Sequence, residues 1–143
     1  MLLNYLIIFF KFQGIFFQMN AATLQLQISN IKTAEGNIQI AVYNTASDFL
    51  EVSKALRLLV IPVKSISDLT LEVSDLEPGD YAIAVFHDLN QNGYLDTNWA
   101  GIPTEPYAFS NNVRPKFRSS RWSESKFYLN SGINQHRLNL KTW

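Results

Sequence analysis

Between Asp88 and Asp96, oxygen-bearing side chains recur at short, regular intervals: Asp88, Asn90, Asn92 and then Asp96, with Gly93 directly after the third. This is the spacing of the first half of an EF-hand loop. There, positions one, three and five supply side-chain oxygens, the sixth residue is Gly for the sharp turn, and the seventh offers its backbone carbonyl. On that template Tyr94 contributes a carbonyl and Asp96 stands at position nine. Position twelve departs from it, because Trp99 stands where a bidentate Glu belongs. Missing oxygens are then expected from Asn98, Glu105 or water. The ion this set suits is Ca2+, which tolerates irregular coordination where magnesium demands a strict octahedron. With two carboxylates in the core set, the expected dissociation constant is about 10⁻⁴ to 10⁻³ M. The same residues also read as a metal-free turn, since Asn-Gly between apolar strands is a strong hairpin signal and Asn and Asp bond their own backbone.

Other chemistry is weaker. His87 and Asp88, with Ser110 downstream, compose a hydrolase triad on paper, but no nucleophile elbow surrounds Ser110. The expectation is that the chain is not an enzyme, with His87 structural and His136 pointing to no chemistry. Trp99, Tyr107 and Phe109 fall in a Gly- and Pro-containing stretch without strand periodicity. They can line a groove for a small ligand or glycan, or plug an open end of the fold. Arg114, Lys116, Arg118 and Arg121, interleaved with Phe117 and Trp122, make a local basic patch, read as a solvated loop before a phosphate grip.

The elements that position these residues are short strands. Leu24, Leu26 and Ile28 alternate with polar neighbours, as do Ile38, Ile40 and Val42 after the turn at Gly36-Asn37. Residues 46–54 read as a helical turn or irregular loop. Leu56 to Val63 is a strand that Pro62 keeps at an edge or an end. Leu69, Leu71 and Val73 mark another. The turn Leu76-Glu-Pro-Gly-Asp-Tyr81 launches Tyr81 to Phe86, apolar on both faces as a covered central strand would be, and Tyr81 is placed as in a tyrosine corner. Lys126 to Leu129 and His136 to Leu140 complete the set. The fold class expected is all-β: a single antiparallel Greek-key β-sandwich of about seven strands, with a long irregular loop after the central strand.

Bulk properties agree with a single domain. The chain has 143 residues, 47% of them hydrophobic, with 12 basic and 12 acidic side chains and no cysteine. A neutral balance provides no global field toward nucleic acid, and the lack of cysteine removes disulfides, thiolate zinc sites and thiol catalysis. The apolar run from Met1 to Phe17, broken by Lys11 and followed by Ala21-Ala22, reads as an export signal over residues 1–22, leaving 23–143 as the domain. An uncleaved anchor and a start at Met19 are the other readings. No stable membrane span is expected after signal cleavage, and the product is expected in the periplasm or outside the cell, where envelope or glycan contact is open to it.

Leu76 to Asn98, then Gly101-Ile-Pro-Thr-Glu105 and Tyr107-Ala-Phe-Ser-Asn-Asn112, resemble the bacterial exported family called domain of unknown function 2141. The resemblance covers roughly Thr23 to the C-terminus. It implies an export signal, one sandwich similar in outline to prealbumin-like and collagen-adhesin B-type domains, and a shared Asp88 to Asp96 loop. It brings no activity. Two departures stand out: Ala108 where the family usually has Gly, and a more basic stretch from Arg114 to Arg121. The function expected is a non-catalytic exported module whose loop holds a structural calcium, with a small-ligand or glycan carrier as the alternative.

Overall fold

The computed structural model describes residues 21–143, so the run from Met1 to Phe17, read above as an export signal, lies outside them. Every alternating run becomes a strand. Strands β1 (Ala22–Ser29), β2 (Asn37–Tyr43), β3 (Arg57–Pro62), β4 (Leu69–Leu76) and β5 (Gly79–Asp88) follow in order, then β6 (Tyr107–Phe109), β7 (Phe127–Leu129) and β8 (Gly132–Asn139). Helical structure among the described residues is slight: 3-10 turns at Val52–Lys54 and Ser110–Asn112, and one α-helical turn, α1, at Trp122–Ser125. No described helix is long and apolar enough to cross a membrane.

The strands form two open sheets, consistent with a β-sandwich. One has the order β4-β1-β8, the other β3-β2-β5-β6, and β7 pairs the first residues of β5 on the edge that β6 takes further along. Leu24, Leu26 and Ile28 from β1 meet Ile38, Ile40 and Val42 from β2 and Tyr81, Ile83 and Val85 from β5 in one core, all of them buried. Period-two alternation produced this directly, since it puts every second side chain on the inner face.

Three expectations hold. Pro62 ends β3, an edge strand, where its missing N–H costs no ladder bond. Strand β5 lies inside its sheet with buried residues on both faces. The Tyr81 hydroxyl donates to the Glu77 carbonyl at 2.8 Å, the tyrosine-corner bond, and burial pushes the pKa of that hydroxyl up. Two expectations are corrected. There are eight strands among the described residues, because Tyr107–Phe109 also pairs with β5. Nor is the arrangement wholly antiparallel: β8 runs parallel to β1, from Ala22 opposite Gly132 to Ser29 opposite Asn139. Side-chain periodicity is the same in both directions of pairing, so it cannot report which one is used.

Candidate functional site: the Asp88 to Asp96 loop

The loop starts where β5 ends. His87 continues the inward row of β5 and is buried, its Nε2 2.7 Å from the Glu35 carbonyl oxygen. A carbonyl only accepts, so Nε2 carries the proton and donates. Asp88 points the other way and is also fully buried. Its Oδ1 accepts the Asn92 N–H at 3.1 Å, and its Oδ2 accepts the Gly93 N–H at 2.8 Å and the Gln39 side-chain amide at 3.1 Å. One carboxylate thereby anchors the loop to both its own strand and β2.

The other loop oxygens turn inward as well. Asn90 Oδ1 accepts the same Asn92 N–H that Asp88 takes, at 3.2 Å, and Asn92 Oδ1 accepts the Tyr94 N–H at 2.9 Å. Gln91 and Gly93 adopt positive φ, 60° and 82°, which bends the chain around these oxygens. The Asp96 carboxylate is met by the side-chain amides of Asn90 (2.6 Å) and Asn92 (3.0 Å). Buried Glu105 closes the loop from outside: its Oε1 accepts the Leu89 N–H at 2.8 Å and its Oε2 the Asp96 N–H at 3.0 Å.

Asp88 and Asp96 thus lie in one loop that Glu105 closes, and none of the three is in an ion pair among the described residues; the pairs there are Arg118–Glu124 and Lys126–Asp80. No three Asp, Glu or His side chains come together among the described residues as a group that could hold a metal. An ion at this loop would therefore draw on a mixed set: two carboxylates from Asp88 and Asp96, amide oxygens from Asn90 and Asn92, and the Tyr94 carbonyl. Of the two further candidates, Glu105 spends both oxygens on backbone amides. Asn98 caps its own turn, with Oδ1 accepting the N–H groups of Ala100 (2.9 Å) and Ile102 (3.1 Å).

A family model described as an uncharacterized protein conserved in bacteria (DUF2141) matches residues 26–136. The chain belongs to this family. The match takes in the whole loop, strands β2 to β7 and parts of β1 and β8, whereas no curated protein and no solved structure matches the chain.

Elsewhere in this DUF2141 chain the geometry revises the remaining candidates. Trp99, Tyr107 and Phe109 do not line a common groove. Trp99 stands at the tip of a small excursion bridged at Thr97 and Pro103 and is 99% exposed, while Tyr107 and Phe109 are buried on the outer face of β6, with ring centroids 5.8 Å apart. Nor do the latter two plug an end of the sandwich. Two of the four basic side chains of the patch, Arg114 and Arg118, are engaged in structural bonds. The Arg114 guanidinium lies over the Tyr107 ring at 4.5 Å and donates to the Tyr107, Lys141 and Thr142 carbonyls. Arg118 forks onto Glu124 at 2.7 and 2.9 Å, holding that carboxyl down to about 2.

The paper triad does not assemble either. Ser110 Oγ accepts the Ile83 N–H at 2.9 Å and donates to the Ser125 carbonyl. Ile83 and His87 are four positions apart along the strand, a distance of about 13 Å. What sequence reasoning missed at the loop is Gln39 and the Glu35-Gly36 turn. Both come from the second strand and its approach, and no short-range spacing connects them to Asp88.

Proposed function

We propose that this chain is a non-catalytic module, exported to the periplasm or beyond, whose Asp88 to Asp96 loop binds calcium as a structural staple. The observation that carries the reading is the convergence of Asp88 Oδ1 and Asn90 Oδ1 on one backbone N–H, that of Asn92, with Asn92 Oδ1 engaged one turn further on. Positions one, three and five of the template thereby present oxygens to the inside of one loop before any ion is added. The lack of a cationic side chain beside Asp88, Asp96 and Glu105 among the described residues supports a hard cation there. Binding would draw Asp96 off the two Asn amides and onto the ion. The ion's work is then to lock Leu89 to Asp96 and, through Glu105, the segment that leads into β6. Export is supported by the apolar run at Met1 to Phe17, and a non-catalytic role by the commitment of His87 and Ser110 to backbone partners.

The test is calorimetry with thermal melting under calcium. For a dissociation constant of about 10⁻³ M, about 10 mM calcium adds about 1.4 kcal/mol and raises the melting temperature by about 3–6 °C. Asp96→Ala should remove that rise. Asp88→Ala is a poor probe, because it strips three hydrogen bonds from the folded loop with or without an ion. If the wild-type protein is folded yet gives neither heat nor a shift at millimolar calcium, the staple is the hydrogen-bond network alone.

A further inference from the structure

The two outer sheet faces are unlike. On the three-stranded sheet the outward side chains are mostly polar, Ile133 excepted, and several bond across strands: Gln25 to Glu72, Gln135 to Gln25, and Arg137 to Gln27. On the five-stranded sheet Leu58 is opposite Ala41, Ala41 opposite Ala84, and Ala84 opposite Phe109, one outward row across four strands. Two short side chains between two tall ones make a trough. It encloses about 280 Å³, and residues Gly93 to Leu95 of the loop form one wall. None of its lining residues carries a charge at neutral pH. Val52, Leu58 and Tyr94 stand exposed at its mouth, although each offers a large apolar surface.

We propose that this trough binds a small, uncharged, apolar molecule, about two fused aromatic rings in size. The size follows from volume, since an apolar protein cavity of about 150 Å³ takes up benzene. The charge follows from the lining: an ionised ligand would lose its hydration and find no counter-charge. Affinity comes from burying apolar surface on both sides, the ligand's and that of the exposed rim. Trp99 has no part in it.

The experiment is a fluorescence titration of the full chain with neutral 2-naphthol in the presence of a chelator, so that its outcome is independent of calcium. Saturable binding at one site per chain is expected. Ala84→Leu fills the trough floor and should weaken binding at least tenfold, while Trp99→Ala should change it less than twofold. Should Ala84→Leu fail to fold, Leu58→Ser at the mouth should still weaken binding several-fold. No saturable binding by the folded wild type, or an affinity that the folded trough variants leave unchanged, overturns the proposal. So does sedimentation as a dimer that Leu58→Ser converts to monomer, which would make the trough a contact between copies.

Discussion

At the scale of single residues, the loop and His136 respond differently to solution conditions. The His136 ring stacks on Phe127, with centroids 4.0 Å apart, and its Nε2 accepts the Asn111 N–H at 3.2 Å. Only a neutral ring can accept there, and burial pushes its pKa below the ordinary 6.5. The unfolded chain therefore binds this proton at a higher pH than the folded one. Its contribution to stability is complete above about 6.5 and is lost as pH falls from there through the lower, folded pKa. An NMR titration should place the His136 midpoint below 6.5, and the melting temperature of His136→Gln should fall less steeply between pH 7 and 5 than that of wild type. A midpoint at or above 6.5 would refute the account. Asp88, Asn90, Asn92 and Asp96 were legible as oxygen donors because they are neighbours in the chain. Gln39 was not, because it lies 49 residues from Asp88 and is brought to it only by the β2–β5 pairing.

At the scale of elements, the β1–β2 connection approaches the loop closely at Gly36. Gly36 has φ 73°, and a Cβ there would fall 2.3 Å from the Asp88 carbonyl oxygen and 2.8 Å from the Leu89 Cα. Both are backbone atoms and neither can step aside without moving the loop. Gly36→Ala should therefore destabilise the protein by more than about 2 kcal/mol, combining left-handed strain with the clash. A chemical-denaturation midpoint within error of wild type would show that the loop can shift freely. Strand β8 begins at Gly132, four residues before the apolar alternation starts at His136. The early residues pair with β1 without burying an apolar side chain and leave Ile133 exposed, so hydrophobic pattern carried no trace of them. Strand β6 is three residues long, too short for a period to register.

At the scale of the whole molecule, chain closure depends on the last strand. Strand β1 has β4 on one side and β8 on the other, so the first and last of the described strands are neighbours. Leu138 and Leu140, near the C-terminus, are completely buried in the common core. Leu138→Ala should cost about 2–5 kcal/mol, as for other leucines in closely packed interiors. Urea unfolding would measure it, and a cost under about 1 kcal/mol would mean that β8 is an accessory to the core.

By itself the sequence determined seven of the eight described strands, where the Pro78-Gly79 turn and the Tyr81 corner fall, and that the loop after β5 gathers oxygens, because each of these follows from residues within a few positions of one another. Tertiary structure alone decided the parallel β1–β8 pairing, the outward trough over Ala41 and Ala84, and the separation of Trp99 from Tyr107 and Phe109. An aromatic or apolar residue announces that it prefers to leave water. Which surface receives it depends on strand order and direction, and those are set by contacts between segments far apart in the chain.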